Sequence, residues 1–126
     1  MKKPTILVAD DDLALVRALA LRLRHEGYDV VEAADGYNAL ARSVEEKPDV
    51  MILDINMPAG SGFSVQERKS KVAPQMDAPV IYITGDPSDQ AMDKAVRLGA
   101  FTLLSKPLDY CTLLAAVQNA LQPKAA

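Results

Sequence analysis

Five short apolar runs alternate with amphipathic segments along the chain. The apolar runs lack regular polar alternation, which is typical of strands that are covered on both faces of a parallel sheet. Between them, apolar side chains recur at helical spacing with charged side chains on the opposite side. The predicted strands are Thr5–Ala9, Tyr28–Ala33, Val50–Met57, Pro79–Ile83 and Phe101–Leu104.

Residues that favour helix ends stand at the junctions between these segments. Asp12 and Asp109 are predicted N-caps, and Gly27 and Gly99 are placed to end helices. The predicted helices begin after Asp12, at Asp35-Gly36, at Phe63, at Pro87 or Ser88, and after Asp109. Five side chains of the fourth helix are predicted to face a core: Ala91, Met92, Ala95, Val96 and Leu98.

The alternation of strand and helix predicts an α/β domain with a five-stranded parallel sheet and five helices on its two faces. Five such units fit a flavodoxin-like strand order, 2-1-3-4-5, better than a closed barrel. Asp29 and Glu32 indicate an edge position for the second strand. Residues 1–126 are expected to form a single domain, in which 123–126 are a flexible tail.

Composition and charge exclude several classes of protein. The 126 residues are 49% hydrophobic and 25% charged, with 14 basic and 17 acidic side chains, so no footprint of nucleic-acid binding is visible. Cys111 is the only cysteine, which excludes an internal disulfide and gives no sign of an oxidising compartment. We expect a cytoplasmic protein with this thiol buried on a helix. The N-terminus resembles neither a signal peptide nor a membrane span.

Chemically active side chains stand where the predicted strands end. Asp10 and Asp11 follow the first strand, Asp54 lies in the third, Thr84 follows the fourth and Lys106 follows the fifth. Each alone has an ordinary explanation, such as a helix N-terminus, a turn or an exposed lysine. Because the carboxyl ends of parallel strands share one edge of the sheet, their joint placement favours a site.

These residue types together favour metal-dependent phosphoryl chemistry. Three neighbouring carboxylates repel one another, and oxygen ligands without His or Cys select a hard cation such as Mg²⁺ or Mn²⁺. One carboxylate can then act as a nucleophile toward a phosphoryl group and form an aspartyl phosphate. Thr84 can donate a hydrogen bond to one phosphoryl oxygen, and Lys106 can pair with another.

Four motifs resemble the receiver domain of bacterial two-component response regulators. They cover nearly the whole chain in the order of that family: Ile-Leu-Val-Ala-Asp-Asp-Asp, Leu-Asp-Ile-Asn-Met-Pro, Ile-Thr-Gly, and Leu-Gly-Ala followed by Ser-Lys-Pro. The resemblance implies that Asp54 accepts a phosphoryl group from a histidine kinase or phosphotransfer protein. It further implies a Mg²⁺ site (or Mn²⁺) at Asp10, Asp11, Asp54 and the backbone carbonyl of Asn56, with Thr84 as the switch hydroxyl, Lys106 as the phosphate-pairing lysine and a cis Lys106-Pro107 bond.

The resemblance also implies how the signal is used. Such a domain is not a conventional enzyme, but it catalyses its own Mg²⁺-dependent phosphorylation and dephosphorylation. Its readout would be a downstream protein, or a homodimer formed on phosphorylation, with neither nucleic acid nor membrane bound directly. The surface expected to bind that protein, or to form the dimer, comprises the fourth helix, fifth strand and fifth helix. It includes Asp89, Asp93, Arg97 and Tyr110.

One position departs from the family pattern. Receivers commonly carry Tyr, Phe or His three residues before the lysine, and here that residue is Leu103. Leucine has no ring that could swing between an exposed and a buried rotamer, so the coupling from Thr84 to an aromatic residue is in question. Phe101 is the nearest aromatic along the chain and is predicted to share a strand face with Leu103.

Three other functions fit the sequence less well than phosphotransfer. A receiver-like module that binds its partner constitutively need not keep the acids, Thr84 and Lys106. A flavodoxin-type nucleotide binder needs a phosphate-cradling first loop, whereas the acids at 10–12 repel phosphate. A phosphatase with an aspartate nucleophile would carry a second Asp where this chain has Asn56. A stand-alone receiver and a domain of a larger regulator or hybrid kinase both fit the sequence.

Overall fold

The structure is a computed structural model that describes residues 2–122. Within that range, five strands alternate with five helices, as the sequence predicts. The strands are β1 (Thr5–Ala9), β2 (Asp29–Ala33), β3 (Val50–Asp54), β4 (Val80–Thr84) and β5 (Thr102–Ser105). The helices are α1 (Leu13–His25), α2 (Gly36–Glu46), α3 (Gly62–Val72), α4 (Asp89–Arg97) and α5 (Tyr110–Ala120). The tail predicted at 123–126 lies outside the described residues.

The strands form one parallel sheet in the order β2-β1-β3-β4-β5. This confirms the flavodoxin-like order and the edge position of β2. The register places Asp54 of β3 opposite Ile83 of β4, and Thr84 of β4 opposite Ser105 of β5. The carboxyl ends of these three strands are therefore level with one another, which positions the candidate site.

The sheet divides the core into two layers. Alternate strand residues point to opposite faces, so each central strand contributes to both layers. The layer beneath α1 and α5 includes Ile6, Ile52, Ile83, Val16, Leu19, Leu113 and Val117. The layer beneath α2, α3 and α4 includes Leu7, Met51, Tyr82, Ala39, Phe63, Val65 and Ala95. Because both faces are covered, the interior strands lack polar alternation, and their charged or hydroxyl residues other than Tyr82 stand at the strand ends: Thr5, Asp54 and Thr84.

Polar side chains cap the start of every helix in the described range. The capping residues Asp12, Asp35, Ser61, Ser88 and Asp109 each accept a hydrogen bond from a backbone N–H in the first helical turn. Gly27 and Gly99 follow α1 and α4 with φ of 101° and 75°, a region that strains residues with a Cβ. The predicted caps at Asp12 and Asp109 and the predicted terminating glycines are therefore confirmed.

Several burial predictions are wrong. Cys111 is exposed, because α5 turns Leu113 and Val117 toward the core and Cys111 stands on another side of the helix. Met92 and Val96 of α4 are 47% and 69% exposed, because a helix covers the sheet with one narrow stripe and here that stripe is centred on Ala95. None of the helices in residues 2–122 has the length and apolar character needed to cross a bilayer.

Candidate functional site

Backbone hydrogen bonds orient the side chains at the ends of three strands. Asp10 Oδ1 accepts from the N–H of Asp12 at 2.9 Å, and Asp54 Oδ1 accepts from the N–H of Asn56 at 3.3 Å. Thr84 Oγ1 accepts in the same way from the N–H of Asp86 at 3.0 Å. In Asp10 and Asp54 the second carboxylate oxygen, Oδ2, can therefore bind other partners.

The structure brings three of the predicted acids together. Asp10, Asp11 and Asp54 each offer a carboxylate oxygen, and these oxygens lie within 4.8 Å of one another. Asp10 is fully buried and Asp54 is 3% exposed, whereas Asp11 is open to solvent. Oxygen ligands of this number and charge, open on one side, fit a hard divalent cation that keeps some of its water. The residues present are therefore compatible with Mg²⁺.

Lys106 is the positive charge of the site. Its Nζ lies 2.7 Å from Asp10 Oδ2 and 3.5 Å from Asp54 Oδ2, and its backbone N–H donates to the carbonyl of Thr84 at 2.8 Å. Although burial lowers the pKa of Lys106, its ion pairs with Asp10 and Asp54 raise that pKa more. The side chain stays charged at neutral pH, and one lysine against three acids leaves the site negative.

Burial and a neighbouring charge perturb Asp54. Desolvation by burial, followed by repulsion from Asp10, raises the pKa of Asp54 from 3.8 to about 6. Lys106 and the N–H of Asn56 oppose this change by stabilising the carboxylate. Because the charged form of Asp54 is disfavoured in the free protein, any cation that binds beside it stabilises the ionised carboxylate.

Close backbone contacts support the loop after Asp54. A Cβ placed on Gly62 would lie 2.6 Å from the carbonyl oxygen of Asp54, and the N–H of Gly62 donates to the carbonyl of Ile55 at 3.1 Å. A Cβ on Gly36, the first residue of α2, would lie 2.1 Å from the carbonyl oxygen of Gly60. The glycines in this loop signal a turn in the sequence, but nothing local in the sequence predicts the contact with Gly36.

The other predicted positions are distributed around this centre. Asn56 is exposed in the loop after β3, and the Lys106-Pro107 peptide is cis. Leu103 packs into the core layer beneath α2, α3 and α4, whereas Phe101 precedes β5 and is 45% exposed. Asp89, Asp93 and Arg97 are exposed on α4, while the Tyr110 ring on α5 lies 3.6 Å beneath the guanidinium of Arg22.

A groove opens beside Lys106, between α1 and the connection from β5 to α5. It has a volume of about 660 Å³ and includes Leu15 and Leu19 of α1 and Pro107 and Leu108 of the connection. It therefore presents an apolar wall next to the charged centre.

Comparison with known proteins assigns the family. The model of the response regulator receiver domain matches residues 6–118. Protein PilH of Pseudomonas aeruginosa is 36% identical over 118 residues, which are 92% of this chain and 96% of PilH. The transcriptional regulator RpaA of Synechocystis is 34% identical over 119 residues, 94% of this chain and 49% of RpaA. The chain thus spans about half the length of that relative, and 28% of the regulator GlrR of Escherichia coli.

Solved structures show the same fold. A CheY-like receiver domain from Methanospirillum hungatei superimposes with a TM-score of 0.88 at 28% identity, over 95% of this chain and 94% of that one. The chemotaxis protein CheY4 of Vibrio cholerae gives 0.87 at 30% identity, over 95% of this chain and all of that one. The strand order, the acidic strand ends and these matches agree, and the chain belongs to the receiver domain family of two-component response regulators.

Proposed function

We propose that this receiver domain is a phosphorylation switch in which Asp54 accepts a phosphoryl group from a histidine kinase or phosphotransfer protein. One observation supports this most directly. A buried carboxylate at the end of β3 lies 3.5 Å from an ammonium group and shares that group with a second buried carboxylate. The arrangement offers a nucleophile, a phosphate-pairing cation and the donor set for Mg²⁺.

Each side chain has a defined task in the transfer. A carboxylate oxygen of Asp54 attacks phosphorus, and the bond from phosphorus to the donor breaks as the new bond forms. Mg²⁺, when held by Asp10, Asp11, Asp54 and the carbonyl of Asn56, supplies positive charge for the phosphoryl oxygens. Lys106 pairs with one of these oxygens, and the Thr84 hydroxyl donates a hydrogen bond to another.

The decisive experiment needs only the protein and a small phosphodonor. Intact mass after incubation with acetyl phosphate and Mg²⁺ is expected to show one added phosphoryl group, whereas EDTA prevents the addition. Size-exclusion elution of the same samples tests for a phosphorylation-dependent homodimer. A protein that stays unmodified under these conditions, although folded, would behave as a constitutive binding module instead.

Magnesium is expected to stabilise the fold. A ligand that binds only the native state at about 100 times its Kd adds roughly 2.7 kcal/mol to the free energy of unfolding. The melting temperature should therefore rise when MgCl₂ replaces EDTA at constant ionic strength. Asp11→Asn should reduce this rise, while Asp29→Asn, an exposed acid on β2 near the other end of the sheet, should preserve it. An equal rise in both variants contradicts the proposed metal site.

Two exposed polar residues beside the site are expected to control how long the phosphoryl group lasts. Asn56 and Asp86 each lie two residues beyond a site residue, at solvent-exposed positions. Either can orient the water that attacks the phosphorus atom, so alanine at each position should slow dephosphorylation by roughly two- to tenfold. The decay of phosphoprotein after removal of the donor measures this rate. Unchanged decay in both variants would exclude the idea.

The surfaces around the site suggest where partners bind. The groove between α1 and the β5–α5 connection leads to Lys106, so we assign the phosphodonor protein to this side. The readout is assigned to the face of α4, β5 and α5, whose exposed charges include Asp89, Asp93 and Arg97. We further infer that residues 1–126 act as one domain in the cytoplasm.

A further inference from the structure

Tyr82 is a fully buried tyrosine in the middle of the sheet. On β4 it lies in register with Leu53 of β3 and Leu103 of β5, so its ring points into the layer beneath α3 and α4. Thr84 follows two residues later on the same strand, and its side chain therefore points to the same face as Tyr82. Tyr82 thus lies two residues from the site along β4, on the same strand face as Thr84 and in register with Leu103, which replaces an aromatic residue.

The hydroxyl of Tyr82 lacks a hydrogen-bond partner among the described residues, and so does the side-chain oxygen of Gln66 on α3. Both atoms are buried, and a buried polar group without a partner costs free energy. A hydroxyl can donate and a primary amide can accept, so the two groups are complementary. Gln66 follows Phe63 by one helical turn, and Phe63 packs against the Tyr82 ring with centroids 4.8 Å apart.

The adjoining helix α4 is lightly anchored. Of its nine residues, Ala95 is buried, and an ion pair from Lys94 to Glu67 of α3 spans 3.4 Å between side chains that are each about half exposed. Such exposed pairs contribute little to stability. Lys94 Nζ also lies 5.3 Å from the ring centroid of Phe63, so the ring that packs against Tyr82 also contacts a side chain of α4.

We propose that Tyr82 carries the state of the phosphorylation site to α4. When Thr84 is drawn toward a phosphoryl group on Asp54, the Tyr82 hydroxyl gains a hydrogen bond to the side-chain amide of Gln66, and α4 shifts on the sheet. This inference rests on the proposed function, because it needs the phosphorylated state. The hydrogen bond missing in the resting structure then favours the shifted state. Tyr82 is a coupling residue, with no part in the phosphoryl transfer itself.

Methionine methyl NMR provides the test, since Met92 is an exposed reporter on α4 itself. Protein with ¹³C-labelled methionine methyl groups is observed with Mg²⁺, before and after addition of acetyl phosphate, and Met92→Leu identifies the signal. Phosphorylation should shift the Met92 signal. Tyr82→Phe should reduce this shift by roughly half or more, and Gln66→Leu should do the same, without further loss in the double variant.

Matched controls separate the possible failures. Tyr110→Phe removes another buried hydroxyl, on α5, that has no hydrogen-bond partner within residues 2–122, and should leave the Met92 shift intact. Intact mass must show equal phosphorylation of Tyr82→Phe and the unsubstituted protein, and an unsubstituted protein that is never phosphorylated overturns the proposed function itself. A full Met92 shift in Tyr82→Phe overturns the coupling role. So does a lowered melting temperature of unphosphorylated Tyr82→Phe, because the hydroxyl would then already be bonded at rest.

Discussion

Asp54→Asn is expected to abolish phosphorylation by acetyl phosphate while leaving the protein folded. The amide has the shape of the carboxylate but is a far weaker nucleophile, and no other buried acid of the site sits on β3. Intact mass after prolonged incubation with donor and Mg²⁺ measures the loss. Asp12→Asn, an exposed N-cap beside the site, is the matched control and should be labelled like the unsubstituted protein. Labelling of Asp54→Asn would show that the acceptor lies elsewhere.

The same variant is expected to be more stable than the unsubstituted protein when metal is removed. In the folded state the pKa of Asp54 is about 6, above its ordinary value of 3.8, so the native protein binds the proton more tightly than the unfolded chain. The contribution of this group to stability is therefore fully present below about pH 4 and is lost as the pH rises through about 6. At pH 7 in EDTA, Asp54→Asn should raise the free energy of unfolding by on the order of 1 kcal/mol.

Urea unfolding at pH 7 and at pH 4 measures how Asp54→Asn changes the free energy of unfolding. The advantage of Asp54→Asn should shrink as the pH falls, and Mg²⁺ should reverse it by stabilising the carboxylate form. A variant that is less stable than the unsubstituted protein in EDTA at pH 7 would mean that the Lys106 ion pair outweighs the cost of burial.

Gly36→Ala is expected to cause a large loss of stability. The added methyl group would lie 2.1 Å from the carbonyl oxygen of Gly60, and the N–H of Gly36 donates to the carbonyl of Pro58 at 3.0 Å, so α2 and the loop after Asp54 would be forced apart. Overpacking of this kind costs about 1–3 kcal/mol or more. A thermal scan should show a decrease in melting temperature of roughly 4 °C or more. Phosphorylation by acetyl phosphate should also slow, because the same loop carries Asn56.

Gly85→Ala is the matched control for that substitution. Gly85 follows Thr84 at the edge of the site, but apart from its chain neighbours no atom of residues 2–122 lies within 4 Å of an added Cβ, and its φ is not in the left-handed region. The melting temperature of Gly85→Ala should lie within about one or two degrees of that of the unsubstituted protein. If Gly36→Ala is equally harmless, α2 and the loop must be free to separate, and the contact does not support the site.

The fold and the centre of the site could be predicted because both depend on local patterns. Uninterrupted apolar runs such as Thr5–Ala9 identify covered strands, and a parallel sheet brings the residues at their carboxyl ends to one edge. The proximity of Asp10, Asp54 and Lys106 follows from that rule together with the strand order. The helix N-caps could be predicted equally well from the sequence, because a capping side chain acts within three residues of its own position.

What could not be predicted depends on contacts between distant segments. The exposure of Met92 and Val96 is decided by how α4 rotates about its axis when Ala95 packs on the sheet, and spacing along a helix of nine residues leaves that rotation open. The approach of Gly36 to Gly60 joins segments 24 residues apart. That the Tyr82 hydroxyl has no hydrogen-bond partner in the described part of the chain likewise becomes apparent only when α3 is placed over β4.

The light anchoring of α4 has a consequence for the kinetics of amide hydrogen exchange. An element that buries one side chain can open by local unfolding at a small fraction of the free energy that global unfolding requires. Backbone amides of α4 should therefore exchange with deuterated solvent well before those of β1, β3 and β4, whose residues are all buried. We therefore expect the sheet that carries the acidic site to exchange slowly, and α4 to sample open states while the sheet stays folded.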